Sequence, residues 1–96
     1  KLPQLTKALY IDYERYLIIK DNKEIFLPKK EFQLLSLLYS KPKKVFSREE
    51  IKSFLWNNSD SVKTRTIDVH IRKIREKVGE DAITTVQGIG YKLEIA

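Results

Sequence analysis

Cationic side chains are concentrated in one short stretch of the chain, residues 63–79. This stretch contains two acids, Asp68 and Glu76, so its net charge is +4, whereas all the other residues add only +2 to the formal net charge of +6. Its six cations are Lys63, Arg65, Arg72, Lys73, Arg75 and Lys77. Such a stretch suits binding to phosphates, but a solvated helix face with i,i+4 ion pairs such as Asp68–Arg72 would have the same composition.

One apolar residue shares a predicted helix face with these cations. If residues 64–78 are helical, a stripe of apolar residues faces a core at steps of four, three and four residues. The stripe consists of Ile67, Ile71, Ile74 and Val78. At about 100° per residue, Val69 then lies on the opposite side of the helix. The sequence therefore places a β-branched apolar side chain among cations, where it faces solvent or a ligand.

Most other chemistries lack the residues that they need. The chain has no Cys and one His, so a disulfide or thiolate metal site is impossible and a histidine metal site is not expected. Glu49 and Glu50 fit the acidic first turn of a helix better than a catalytic pair. A glycine-rich phosphate cradle and an aromatic platform for RNA are not evident. We expect no cofactor, no metal and no enzymatic activity.

The length of 96 residues leaves room for one folded domain with a modest core. No apolar run approaches the roughly 18 residues that a membrane span needs, so we expect no membrane partner. The sequence begins with Lys and lacks Met. We therefore expect it to be a piece of a longer protein.

Three β-strands are predicted ahead of the helices. Residues 8–13, 16–20 and 24–27 are rich in aromatic and β-branched side chains. Asp21-Asn22 separates the second run from the third, and Asn tolerates the positive φ of a tight hairpin. An antiparallel meander is the economical assignment.

Two helices are predicted next. Residues 29–40 are apolar around most of a helix circumference, with Pro28 at the start and Lys41-Pro42 at the end. Ser47 and Glu50 have the spacing of a capping box, which marks the start of the second helix. The residues expected to form the core face of this second helix are Ile51, Phe54 and Leu55, with Trp56 at its end.

The C-terminal part completes an α+β domain. Residues 57–63 are polar and predict a loop, and Gly79 marks the end of the basic helix. Residues 83–87 and 91–95 predict a hairpin around Gly88-Ile89-Gly90, with Tyr91, Leu93 and Ile95 on one buried face. The helix that starts at Ser47, the loop after it and the long basic helix together resemble a helix-turn-helix. The hairpin that follows makes the domain a winged helix.

Two motifs together resemble the C-terminal effector domain of OmpR/PhoB-type response regulators. They are residues 65–75, RTIDVHIRKIR, and residues 86–93, VQGIGYKL, and residues 27–56 match the first two helices of the family. The resemblance implies a winged helix-turn-helix with an N-terminal antiparallel sheet, three helices and a C-terminal wing. It also implies a short strand near residues 44–46. Residues 1–7 would be a linker from a receiver domain, and residues 8–96 the DNA-binding domain.

The resemblance further implies how individual residues bind double-stranded DNA. Val69 and Lys73 match positions that face base edges in the major groove, and Gln87 stands where the wing usually has an Arg that enters the minor groove. The residues that match phosphate-contacting positions are Trp56, Arg65, Thr66, His70, Arg72, Arg75, Thr85 and Tyr91. The residues that match a loop able to touch RNA polymerase are Asn57, Asn58, Ser59, Asp60, Ser61, Val62 and Lys63. Because Gln87 carries no charge, we expect a weaker contribution from the wing.

Some of these residues also have a structural interpretation. Trp56 could belong to the core, Tyr91 could be structural with only its hydroxyl available, and Asp68 is expected to pair with Arg72 or another nearby cation. A competing hypothesis makes contact with other proteins the main function. The resemblance implies a monomer in isolation, head-to-tail pairs on direct repeats of DNA, and a location in the bacterial cytoplasm.

Overall fold

The computed structural model describes residues 9–57 and 62–94. The predicted linker, the loop residues Asn58, Ser59, Asp60 and Ser61, and the predicted inward-facing Ile95 lie outside these ranges. In chain order the elements are β1 (Leu9–Asp12), β2 (Leu17–Lys20), β3 (Lys23–Ile25), α1 (Lys29–Ser40), β4 (Phe46–Ser47), α2 (Arg48–Trp56), α3 (Arg65–Val78), β5 (Ile83–Val86) and β6 (Gly90–Leu93). No helix in the described ranges is long and apolar enough to span a membrane.

The predicted N-terminal meander is confirmed. β1, β2 and β3 form an antiparallel sheet in that order. Asp21 and Asn22, the turn residues between β2 and β3, have φ angles of 53° and 65°. The third strand is shorter than predicted because the chain leaves the sheet after Ile25. Pro28 then precedes α1, and its carbonyl accepts a 2.8 Å hydrogen bond from the amide of Phe32.

The capping box at the start of α2 is also confirmed. The Ser47 hydroxyl accepts a hydrogen bond from the Glu50 amide at 3.0 Å, and the Glu50 carboxylate accepts one from the Ser47 amide at 2.8 Å. Phe46 and Ile51, which lie on either side of this box, are both buried, as in a hydrophobic staple. Together these contacts fix the direction in which the chain enters α2.

The assignment of Phe54 to the core is wrong. Its side chain is 60% exposed, whereas Ile51 and Leu55 on the same helix are buried. The nine-residue helix packs against the core through Ile51 and Leu55. Phe54 lies to one side of these two residues on the helix surface. Its ring instead lines an open groove with Leu37 and Phe46.

The predicted fourth strand and the wing hairpin form one sheet. Its strand order is β4–β6–β5, with Phe46 paired to Tyr91 and Ser47 to Gly90. A Cβ atom at Gly90 would lie 1.9 Å from the Phe46 carbonyl oxygen, so this close backbone approach requires glycine. Gly88 has a φ of 76° and supplies the turn. Tyr91 and Leu93 are buried, as the alternation predicts.

Candidate nucleic-acid interface

Helix α3 has one buried face and one cationic face. The predicted stripe of Ile67, Ile71, Ile74 and Val78 is no more than 2% exposed at any position. Val69 is 38% exposed on the other side, which confirms the predicted phase of the helix. Because packing is carried by the stripe, the outer face is free to evolve for contact with a ligand.

The outer face keeps most of its positive charge at the surface. Arg65, Arg72 and Lys73 are all exposed. Arg72 forms an i,i+4 pair with Glu76 at 3.5 Å, but both side chains are more than half exposed. Exposed pairs of this kind contribute little and exchange readily with other partners. The cations around Val69 are therefore available to an anion.

Asp68 pairs with a nearby cation, as predicted, but of the two alternatives it is not Arg72. It pairs instead with Arg48, the first residue of α2, whose Nε donates to the Asp68 carboxylate at 2.8 Å. The Tyr91 hydroxyl of β6 donates to the same carboxylate oxygen at 2.5 Å. The reason is geometric: Asp68 lies in the first turn of α3 and faces the N-terminus of α2, one turn away from Arg72. These three side chains, Arg48, Asp68 and Tyr91, are termed the α2–α3–wing triad.

The triad shifts the pKa of each of its members. Burial tends to raise the pKa of Asp68, but the hydrogen bonds from Tyr91 and Arg48 outweigh it, and the net pKa lies below the ordinary value. Burial and the hydrogen bond to Asp68 raise the pKa of Tyr91. The hydrogen bond to Asp68 raises the pKa of Arg48. At neutral pH the triad therefore has one anion, one cation and one neutral phenol.

Replacement of Asp68 by Asn tests this network through acid stability. A carboxyl whose folded-state pKa is lowered stabilises the fold above about pH 4 and loses that contribution as pH falls through the folded-state value. We expect D68N to be less stable than the unmodified chain at pH 7, with a difference that shrinks between pH 5 and pH 3. Urea unfolding at each pH measures it.

Other carboxyls with lowered pKa values, Asp12, Glu50 and Glu94, are common to both proteins. Only the difference between the two unfolding curves is therefore diagnostic. A difference that stays constant from pH 7 to pH 3 would show that the Asp68 carboxylate makes no titrating contribution to the fold.

Arg75 and Thr85, both predicted to contact phosphate, are bonded to each other. Arg75 Nη2 donates to the Thr85 hydroxyl at 2.8 Å and to the Ile83 carbonyl at 2.7 Å. The guanidinium carbon also lies 5.8 Å from the centre of the Tyr91 ring. These contacts tie α3 to the wing. The Thr85 hydroxyl hydrogen is still available to donate to a phosphate.

Trp56 and His70 lie side by side at the end of α2. Their rings are nearly parallel, with centroids 5.9 Å apart and an interplanar angle of 18°. Trp56 is half-buried and packs against the core, as its structural interpretation predicts. Lys30 of α1 lies 5.3 Å from the centre of the Trp56 ring and donates to the Leu55 carbonyl at 2.6 Å.

The remaining predicted residues lie at the edges of this surface. Gln87 and Ile89 are exposed at the tip of the wing, beside Gly88. Thr66 is half-buried in the first turn of α3. At the two ends of the predicted polymerase loop, Asn57 caps α2 with a φ of 54°, Val62 is half-buried and Lys63 is exposed.

The sequence interpretation missed Arg48 and Glu31. Arg48 lies within the capping-box sequence, but a cation in the first turn opposes the helix dipole, which is a signal that it has another partner. Glu31 is the buried charged residue of α1, 3% exposed, and approaches His70. Within residues 9–57 and 62–94, no group of three His, Cys, Asp or Glu side chains could hold a metal ion.

Comparison with known proteins identifies the same fold and sequence pattern. Residues 22–93 match the family described as "Transcriptional regulatory protein, C terminal". The transcriptional regulatory protein SrrA of Staphylococcus aureus (strain NCTC 8325 / PS 47) is 39% identical over 95 residues. That match covers 93% of this chain but only 39% of SrrA, so the chain spans well under half the length of this relative.

Solved structures give the same result. The DNA-binding domain of response regulator AdeR, determined in complex with an intercistronic region, has a TM-score of 0.82 and 30% identity, covering 94% of this chain and 97% of that one. Response regulator DrrB, a Thermotoga maritima OmpR/PhoB homologue, has a TM-score of 0.78 and 32% identity, covering 97% of this chain and 47% of that one.

Proposed function

The chain belongs to the family of C-terminal domains of transcriptional regulatory proteins, and we propose that its α3 surface reads specific sites on double-stranded DNA. It is the winged-helix, DNA-binding effector domain of an OmpR/PhoB-type response regulator. Members of this family regulate transcription and are not enzymes. What the proposal adds is the assignment of roles to the residues of this chain.

The observation that carries the proposal is the exposed Val69 within a cationic helix face. The major groove of DNA admits an α-helix, and the methyl groups of a valine suit the C5-methyl group of thymine. Lys73, one turn further along, can donate to the O6 and N7 atoms of guanine. Because Lys presents a point charge rather than a planar fork, we expect looser discrimination at that base than Arg would give.

Phosphate contacts set the register of α3 in the groove. The residues assigned to this role are Trp56, Arg65, Thr66, His70, Arg72, Arg75, Thr85 and Tyr91. The support differs among them: the cations of the outer face are exposed, whereas Arg75, Thr85 and Tyr91 also hold the wing against α3. We assign Arg75 and Thr85 a double role, in which they fix the wing and offer their remaining donors to the backbone of DNA. Tyr91 donates its single O–H to Asp68, so its contact with a phosphate requires that hydrogen bond to change partner.

The salt dependence of binding tests this assignment. With about five phosphates neutralised, the logarithm of the association constant falls by roughly 4–5 for each tenfold rise in salt. A Gln87→Arg variant restores a charge at the wing tip, and we expect it to bind more tightly and to increase this slope by about 0.9. Fluorescence anisotropy with a labelled duplex, at several salt concentrations, measures both slopes.

Two results would contradict the proposal. Binding that does not depend on salt would show that these residues do not neutralise phosphates. Equal affinity for all duplexes at moderate salt would show that Val69 and Lys73 do not read the base sequence. An unchanged slope in Q87R would place the wing tip away from DNA while leaving the role of α3 intact.

The proposal extends to partners of the longer protein. Two domains pair head-to-tail on direct repeats, a receiver domain precedes residue 8, and the protein acts in the bacterial cytoplasm. RNA polymerase is the proposed partner of residues 57–63. The exposed ring of Phe54 supports a second, protein-binding surface on α2, because it is 60% exposed beside the acidic Glu49 and Glu50. DNA binding remains the function that the geometry supports best.

A further inference from the structure

A buried carboxylate lies directly behind the DNA-facing surface. Glu31 of α1 is 3% exposed, and its Oε2 atom is 3.7 Å from Nδ1 of His70 on α3. Within the described part of the chain, Glu31 Oε1 and His70 Nδ1 are both buried and have no hydrogen-bond partner. A buried carboxylate without a partner is costly, and the imidazole is the group placed to compensate it. A slightly shorter separation of Oε2 and Nδ1 would form the hydrogen bond.

We propose that Glu31 is a positioning residue for the contact between His70 and DNA, and that it makes this contact depend on protonation of His70. This inference rests on the proposed function, in which His70 touches a phosphate. A neutral imidazole has one N–H group and can serve either Glu31 or the phosphate as a donor. An imidazolium has two, so Nδ1 can donate to Glu31 while Nε2 donates to the phosphate.

The surroundings of His70 determine how strongly DNA drives this protonation. On α1, Glu31 faces the imidazole and Lys30 lies over the Trp56 ring. On α2, the uncharged Trp56 stacks on His70. Within α3 itself, Lys73 is one turn further along. A phosphate adds an anion on the outer side, so that His70 lies between two negative charges. DNA binding is therefore coupled to proton uptake.

The test uses fluorescence anisotropy with a duplex of about 20 base pairs of random sequence, because phosphate contacts do not require an operator. At constant low salt we expect affinity to rise by about tenfold as pH falls from 8 to 6, the range in which histidine changes charge. His70→Gln reduces the change to less than about twofold, and Glu31→Gln reduces it to a value between that of His70→Gln and that of the unmodified domain. Glu80→Gln removes an equal charge at an exposed turn and keeps the full pH dependence.

A second measurement does not depend on whether the E31Q variant folds. His70 is the single histidine of the chain, so its ring resonance in an NMR spectrum reports one titration. We expect DNA to move the midpoint of that titration to higher pH by about one unit, equivalent to the tenfold change in affinity. In folded E31Q the phosphate is the one anion left beside His70, and we expect DNA to move the midpoint by a clearly smaller amount than in the unmodified domain.

The outcomes separate this inference from the proposed function. Binding that is unchanged between pH 8 and pH 6, with an NMR midpoint that DNA does not move, overturns the inference and leaves DNA binding in place. Loss of the pH dependence in E80Q as well would assign it to overall charge and would also overturn the inference. Failure of the unmodified domain to bind any duplex overturns both.

Discussion

Replacing Val69 with Asp is expected to abolish sequence-specific binding to DNA, with a loss of at least about 100-fold in affinity. The new carboxylate would lie among the cations of the α3 face and opposite the acceptors of the major groove. The acceptor atoms of the bases would repel it, and the methyl contact of the valine would be lost. The loss of a base contact alone costs about 1–3 kcal/mol, and each 1.4 kcal/mol is a factor of ten. Competition gel shifts with specific and random duplexes measure the effect.

The fold of the V69D variant should be unchanged. Val69 is 38% exposed, and substitutions at such positions usually change the free energy of unfolding by less than about 0.5 kcal/mol. Val69→Thr is the matched control, because it keeps the shape and one methyl group and is expected to lose less than about fivefold in affinity. Unfolding of V69D would mean that Val69 belongs to the core, and binding equal to that of the unmodified domain would mean that it faces no base.

Replacing Gly90 with Ala should cause the largest loss of stability, about 3 kcal/mol or more. The added Cβ atom would lie 1.9 Å from the Phe46 carbonyl oxygen and 2.8 Å from the carbonyl carbon, and neither backbone atom can move without breaking the β4–β6 pairing. At about 4 °C or more per kcal/mol for a domain of this size, the melting temperature falls by more than about 12 °C. Thermal unfolding followed by circular dichroism measures it.

Gly88 provides the control for this prediction. It has a φ of 76° but no atom within 4 Å of an added Cβ, so Gly88→Ala costs only the backbone strain of about 1 kcal/mol. A loss in G90A no larger than in G88A would show that the close contact between β4 and β6 is not maintained in solution. The comparison separates steric contact from loss of glycine flexibility.

Local sequence patterns predicted much of this domain. The phase of α3, the capping box at Ser47 and Glu50, and the turn at Asp21-Asn22 each depend on residues close together in the chain, and all three are confirmed. The resemblance to the OmpR/PhoB family added the short strand β4, which is only two residues long and carries no pattern of its own. Its position differs slightly from the predicted one, residues 44–46.

What the local patterns left open or did not predict depends on contacts distant in sequence. Asp68 has a cation at i+4, Arg72, yet the partner that packing brings to it is Arg48, 20 residues away. Phe54 has helical spacing suited to the core, but its side chain is 60% exposed because the described part of the chain leaves that side of the short helix α2 uncovered. The proximity of Glu31 and His70 joins α1 to α3 and has no local signal at all.

DNase I footprinting of genomic fragments, with the unmodified domain and V69D in parallel, tests most directly the claim that the outer face of α3 reads DNA sequence. At moderate salt the unmodified domain should protect discrete sites arranged as direct repeats, and folded V69D should protect none of them. Uniform protection or no protection by the unmodified domain, or the same footprints with V69D, would contradict the account.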